Sequence, residues 1–448
     1  MKINPSIFRS YDIRGVYPEQ LDEKIAYRIG KSFVELIKAK RVVVGRDARL
    51  SSFSLFKALS NGITDYGASV YNLKEVPTEC LYFAVGRYNF DAGIMITASH
   101  NPKEYNGFKL LKKKIDGFSM VRGDDLRDKV LRKEGFKKTK KKGKIKEKAI
   151  LQDYIDFLFA LVHIKGIKCS KIVVDASNGV AGKVIPLIEK KLRLKIVPLN
   201  FELDGNFPAH PPNPLLEESK KGISEKVKKE RADFGFIFDG DADRVFLIDE
   251  KGNFVRADIT LLLLARYFLK KEPGAVIIYN LICSKAVPEF IKKWGGKPVK
   301  TKVGFVNVRE KLLENNGLIG GELSGHYCFK DNFYGDSGFL AFLVLIKIIS
   351  ESGKKVSELV KELSLYFKSE ELNFRTKEKE KILEIIKKKY SSGKQDYLDG
   401  VTVDYKDWWF NIRPSNTEPL LRLSIEAKTK ELLEEKKKEL TDLIRREK

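Results

Sequence analysis

Asp239, Asp241 and Asp243 alternate in the stretch DGDADR (239–244). In extended backbone they would share one face. Three carboxylates that close together repel one another unless a cation sits between them. Oxygen-only donors select a hard ion such as Mg²⁺. The competing pattern is an EF-hand loop, and Glu250 does fall at its twelfth position. That loop needs glycine where Arg244 stands, and helical flanks where FGFIF and VFLID read as strands.

A second candidate is TASHNP (97–102), where Ser99 and His100 follow the apolar run 91–97. A serine at such a corner could be a nucleophile or a phosphate carrier. The G-x-S-x-G elbow of serine hydrolases is missing, and Gly321, Ser324 and Gly325 of GELSGH have the wrong spacing for it. A metal nearby would neutralise a phosphoserine and polarise its phosphoryl group. RPSNTEP (413–419) offers the planar fork of Arg413 with Ser415, Asn416 and Thr417. That set suits a phosphate dianion held without bond breaking. GELSGH (321–326) offers Glu322, Ser324 and His326, which suit a polyhydroxyl ligand or proton movement. Taken singly, each of these three loops also reads as an ordinary polar turn.

The elements that must position these loops read as alternating strands and helices. Apolar strands at 41–45, 171–175 and 275–279 each precede a helical stretch and a second strand, at 91–97, 232–238 and 317–320. The second strands run into 98–102, 239–244 and 321–326. Strand, helix, strand and loop thus occur three times, predicting α/β sheets with parallel pairing and ligand loops at strand carboxyl ends. The last part predicts a small α+β domain: a helix at 377–389, strands at 401–405, 408–412 and 420–426, and a helix at 429–447. The expected divisions are 1–148, 149–250, 251–366 and 367–448.

Composition narrows the class. At 448 residues the chain exceeds one core, and 43% apolar with 33% charged residues describes a globular chain. The apolar runs 261–269 and 338–349 are too short to span a bilayer and read as buried helices. MKINPSIFRSYDIRG has no apolar signal core, which points to the cytoplasm. Cys80, Cys169, Cys283 and Cys328 lie far apart, against a disulfide framework or structural zinc. The net charge of +24 includes the run 137–148 (KKTKKKGKIKEK), which has no aromatic residue to stack on single strands. It reads as a solvated hairpin or linker, and diffuse positive charge would concentrate a phosphorylated metabolite.

The motifs together resemble the α-D-phosphohexomutase superfamily, in its phosphomannomutase/phosphoglucomutase branch. They are IFRSYDIRG (7–15), TASHNP, NGFKLL (106–111), DGNFPAHPPNP (204–214), DGDADR, GELSGH and WFNIRPSNTEPLLRL (409–423). The resemblance implies three similar mixed α/β domains and a smaller C-terminal α+β domain around a central cleft. It implies interconversion of hexose 1-phosphate and hexose 6-phosphate of mannose or glucose, through a phosphoserine and a hexose 1,6-bisphosphate that also serves as activator. By motif, Ser99 is the carrier, and Asp239, Asp241 and Asp243 hold one Mg²⁺ together with it. Arg244 steadies its phosphate, while Lys109, Arg14 and His100 line the reacting hydroxyl, with Lys109 moving the proton if its pKa is lowered. Glu322 and Ser324 hold sugar hydroxyls, His326 helps orient them, and Tyr11 closes over the site. Arg413, Ser415, Asn416 and Thr417 grip the idle phosphate.

Phe305 and Ile282 depart from the branch's usual glycine-histidine and lysine-cysteine pairs, and Leu323 replaces a more usual methionine. A phosphoglucosamine mutase is the nearest alternative. A serine phosphatase or bisphosphate synthase, and a nucleic-acid-binding protein, are the rivals from other classes. The resemblance implies sugar phosphates as partners, without nucleic acid or membrane, and a monomer or small homo-oligomer.

Overall fold

Strands form where β-branched and aromatic residues cluster. RVVVGR becomes β2 (Arg41–Arg46), in which Val42, Val43 and Val44 are fully buried. The computed structural model describes residues 3–447, except 133–138, 140, 165, 169–170, 193 and 416–419. The chain divides into two compact units, Met1–Arg256 with Ser324–Ser357, and Ala257–Leu323 with Glu358–Lys448.

The first unit holds two sheets. The larger comprises β1 (Ile13–Val16), β2, β3 (Ser69–Glu75), β4 (Ala92–Ile96), β5 (Tyr105–Lys114), β6 (Gly117–Val121) and β7 (Ile145–Glu147). Its order is β1-β5-β4-β2-β3-β7, with β6 on β5. β3 and β4 flank β2 in parallel, whereas β5 runs antiparallel to β4, so the TASHNP loop turns between antiparallel neighbours. The smaller sheet has β8 (Lys171–Asp175), β9 (Lys195–Leu199), β10 (Phe234–Phe238) and β11 (Val245–Ile248), in the order β11-β10-β8-β9. β8 pairs in parallel with both β9 and β10, and β10 and β11 form a hairpin across DGDADR.

In the second unit β12 (Val276–Asn280) pairs in parallel with β13 (Lys297–Thr301) and β14 (Ile319–Gly321). An antiparallel sheet follows, including Leu372–Arg375, Val401–Asp404, Trp408–Pro414 and Leu420–Ala427. The helices Lys379–Lys389 and Lys430–Arg446 pack on it, and Phe374, Ile382, Phe410, Ile425 and Leu440 share its core.

The six strands expected in the three α/β segments form, and the mixed α/β class is borne out. The expected single helix between paired strands is corrected: helix, strand and helix stand there. β3, β9 and β13 are the extra strands, each at the side of its segment's first strand (β2, β8, β12) away from the second (β4, β10, β14). Exposed lysines in SVYNLKE, KIVPL and KPVKT break their apolar pattern, so they do not announce themselves. Arg413 and Pro414 also end a strand instead of opening the loop.

The apolar runs lie in the buried helices Ala257–Lys271 and Gly338–Ser352. Among the described residues no helix is long and apolar enough to cross a membrane. Cys80, Cys283 and Cys328 are free and buried, and Cys169 lies outside the described residues. Of the lysine run, Ile145–Glu147 is an exposed edge strand on β3, where its charge discourages further pairing. Residues 137, 138 and 140 lie outside the described residues.

Candidate active site

Ser99 sits at the end of β4 in left-handed backbone (φ 50°) and is buried. For a residue with a Cβ that costs about 1 kcal/mol, so the surroundings must hold it. Thr97 Oγ1 accepts from Ser99 N at 2.8 Å. Arg49 Nη2 donates to the carbonyls of Ser99 (2.8 Å) and Asn101 (2.7 Å), and Arg49 Nη1 to those of Pro102 (2.7 Å) and Tyr105 (3.0 Å). Asp47 Oδ2 fixes Arg49 Nε at 3.1 Å.

The β10–β11 hairpin brings the aspartates to this serine. Ser99 Oγ donates to Asp239 Oδ2 at 2.8 Å, and Arg244 Nη2 donates to Ser99 Oγ at 3.0 Å. One ligand oxygen from each of Asp239, Asp241 and Asp243 lies within 4.8 Å of the others, and all three residues are buried. Asp241 Oδ1 and Asp243 Oδ1 are buried without a hydrogen-bond partner. Orphaned carboxylate oxygens converging in this way fit a hard divalent cation. Burial, then Asp243 and Asp241, push the Asp239 pKa up to about 8.

Lys109 on β5 enters the same cluster. Its Nζ donates to Asp241 Oδ2 at 2.8 Å and to Asp243 Oδ2. Burial alone would lower its pKa, but Asp241, Asp243 and Asp336 outweigh it and hold the pKa above the ordinary value. In this arrangement Lys109 is an ammonium that neutralises Asp241 and Asp243. His100 Nδ1 lies 3.4 Å from Ser99 Oγ and against Arg244 Nη2. Burial, then Arg244 and Arg14, lower its pKa well below the ordinary value, leaving a neutral ring. Arg14 Nη1 donates to Asn101 Oδ1 at 2.5 Å, and Tyr11 is half-buried just before β1. His326 Nε2 lies 3.5 Å from Asp243 Oδ1 and 3.7 Å from Asp336 Oδ2, and Ser324 Oγ meets His326 Nδ1 at 2.8 Å.

The other expected residues belong to the second unit. Glu322 is buried directly after β14 and accepts from Gly304 N at 3.0 Å. Arg413 is buried; it donates to Asn411 Oδ1 at 3.3 Å and pairs with Glu371. Arg422 Nη1 donates to the other Glu371 oxygen at 3.1 Å, and its Nη2 lies 3.5 Å from Ser415 Oγ. Asn416 and Thr417 lie outside the described residues.

Sequence reasoning missed several supporting groups. Thr78 Oγ1 donates to Asp241 Oδ2 at 2.6 Å, and Asp336 is a fully buried carboxyl beside His326 whose pKa burial and Asp243 raise to about 6. Arg49, Asp47, Glu371 and Arg422 were also unassigned. Polar residues just after an apolar strand, as in GRDAR (45–49), were the available signal for Asp47 and Arg49.

Four family models cover most of the chain. They are phosphoglucomutase/phosphomannomutase alpha/beta/alpha domain I (residues 5–120), domain II (152–252), domain III (256–366) and the C-terminal domain (371–443). A phosphomannomutase of Vibrio cholerae serotype O1 is 39% identical, covering 98% of this chain and 98% of its own. One from Methanocaldococcus jannaschii is also 39% identical, covering 98% and 97%. The crystal structure of a phosphoglucomutase/phosphomannomutase family protein from Burkholderia thailandensis superposes with a TM-score of 0.89 at 32% identity, covering 99% of this chain and 97% of that one. With all four domain models matched in order, the chain belongs to the phosphoglucomutase/phosphomannomutase family of enzymes.

Proposed function

We propose that this protein is a phosphohexomutase that interconverts hexose 1-phosphate and hexose 6-phosphate, with mannose or glucose as the sugar. The relatives named phosphomannomutase support the sugar class. The observation that carries the chemistry is the meeting of Ser99 Oγ with Asp239 and Arg244, at 2.8 and 3.0 Å. In this reading Ser99 carries the phosphoryl group. The bond from phosphorus to Ser99 Oγ breaks as a sugar hydroxyl attacks, forming a hexose 1,6-bisphosphate, and the hydroxyl's proton ends on the freed Ser99 oxygen. The bisphosphate then turns and returns its other phosphoryl group to Ser99, and added bisphosphate would reload a bare serine.

Phosphoryl transfer depends on positioning and charge neutralisation more than on covalent help. Arg244 supplies a fixed donor at the carrier oxygen. Asp239, Asp241 and Asp243, with the Ser99 phosphate, would hold Mg²⁺, which neutralises phosphoryl oxygens when bound. Arg14 and His100 border the attacking hydroxyl, and Lys109 counts there as charge. Glu322, Ser324 and His326 take the sugar hydroxyls. Arg413, Ser415, Asn416 and Thr417 hold the phosphate that is not reacting, and Tyr11 covers the substrate.

Intact mass of the purified protein tests the reading. One phosphoryl group should map to the peptide carrying TASHNP and disappear on incubation with glucose 6-phosphate. A phosphoryl group on another peptide, or one that sugar phosphate leaves in place, contradicts it. Parallel assays with mannose, glucose and glucosamine phosphates then rank the sugars.

A further inference from the structure

The stretch DGNFPAHPPNP (204–214) has no part in this scheme, yet it packs against Arg49 and against the aspartate loop. Phe207 is buried, and the Arg49 guanidinium stacks over its ring at 5.2 Å from the centroid. Arg49 is the group that holds the Ser99 carbonyl. A Cβ placed on Gly240, inside DGDADR, would lie 3.2 Å from Pro212 Cβ, 3.6 Å from the Phe207 ring and 2.9 Å from Ser99 O. The stretch therefore packs against Arg49, which holds the serine loop, and against Gly240 of the aspartate loop, which itself abuts Ser99 O.

His210 pins it. Its Nδ1 lies 2.8 Å from Pro211 O, and its Nε2 lies 3.1 Å from Asp175 Oδ2. A carbonyl and a carboxylate only accept, so both ring nitrogens must carry hydrogen and the ring is an imidazolium. Asp175 ends β8, and its Oδ1 accepts from Ser177 N (2.8 Å) and Asn200 Nδ2 (3.0 Å). Ser177 Oγ donates to Phe238 O at 2.6 Å, one residue before Asp239. We propose that His210 is a positioning residue: as an imidazolium it latches the 204–214 stretch to Asp175 and so sets the spacing between Ser99 and the three aspartates.

The charged groups facing the ring are Asp175 from β8 and Glu218 from the helix Glu217–Glu230. Burial opposes the charge, but Asp175 and the Pro211 carbonyl outweigh it, so the pKa is raised. A raised histidine pKa means that the latch is closed at lower pH and released as pH climbs through the folded value.

Imidazole ¹⁵N spectra of the full chain, from about pH 6 to 10, test the latch directly. The His210 signals are identified by their loss in His210→Gln. Two N–H groups should be present at neutral pH, with one lost at higher pH; a ring with one N–H at neutral pH overturns the proposal.

The effect on the metal rests on the proposed function and is read by calorimetric Mg²⁺ titration. His210→Gln should weaken binding roughly tenfold and lower kcat, with KM for the sugar phosphate nearly unchanged. Asp175→Asn, which keeps the ring but removes its charged partner, should weaken Mg²⁺ binding in the same way. Unchanged affinity in a folded His210→Gln or Asp175→Asn overturns the positioning role. A wild-type protein that binds no Mg²⁺ overturns the metal reading instead, and the spectra still decide the latch.

Discussion

Ser99 is usable as a carrier because its neighbours are fixed before substrate arrives. Left-handed backbone turns its hydroxyl toward Asp239, and Arg49 and Thr97 hold that turn. Ser99→Ala removes the acceptor oxygen and little else, so mutase turnover should fall by at least about 10³-fold with an unchanged melting temperature. Thr78→Val keeps the shape but deletes the 2.6 Å bond to Asp241. Mg²⁺ affinity should drop about tenfold in a calorimetric titration; an unchanged value shows that Asp241 orients itself. Asp239 gives a pH test. Its folded pKa of about 8 exceeds the ordinary aspartate value. Its contribution to stability is therefore complete below the unfolded pKa and lost as pH rises to about 8. In chelator, the melting temperature of the wild type should decline relative to Asp239→Asn over that window, and Mg²⁺ should abolish the difference. The residues that do chemistry were legible because they cluster in loops with telling spacing. Thr78 and Asp336 were not, because each acts on a partner distant in sequence through one bond or charge, and the carbonyls that Arg49 holds come together only in the fold.

At the scale of elements, the first strands of the three α/β segments were legible from their β-branched runs, and the loops after β4, β10 and β14 followed. The flanking strands β3, β9 and β13 were hidden by surface lysines, so the repeat of strand, helix, strand, helix, strand emerged only in the fold. What the elements add is backbone proximity. A Cβ on Gly179, in the turn after β8, would lie 2.5 Å from Gly240 O, and Val180 N donates to that same carbonyl at 3.2 Å. Gly179→Ala forces the aspartate loop to move or the turn to open. It should destabilise the protein by about 1–3 kcal/mol and weaken Mg²⁺ binding together with it. A variant with wild-type melting and wild-type Mg²⁺ affinity would mean that the two turns are not rigidly coupled.

For the molecule as a whole, the C-terminal part stands out by the closure of its core. The buried residues of that core, from Phe374 to Ile444, contact one another across the sheet and the helices Lys379–Lys389 and Lys430–Arg446. Its described links to the rest of the second unit include polar ones: Lys285 N donates to Glu426 Oε2 at 2.9 Å, and Lys285 Nζ to Tyr405 O at 2.8 Å. Polar links of that kind are replaced by water at modest cost, whereas a shared apolar core is not. A fragment of residues 367–448 has the strands, both helices and the whole of this core. It should therefore fold alone, with a cooperative thermal transition by circular dichroism and dispersed amide resonances. Trp409, buried in the full chain and hydrogen-bonded to Glu426 Oε2 at 2.6 Å, would report by its fluorescence whether that packing survives in the fragment. A fragment that melts without a transition would show that the polar seam carries stability that the apolar core does not.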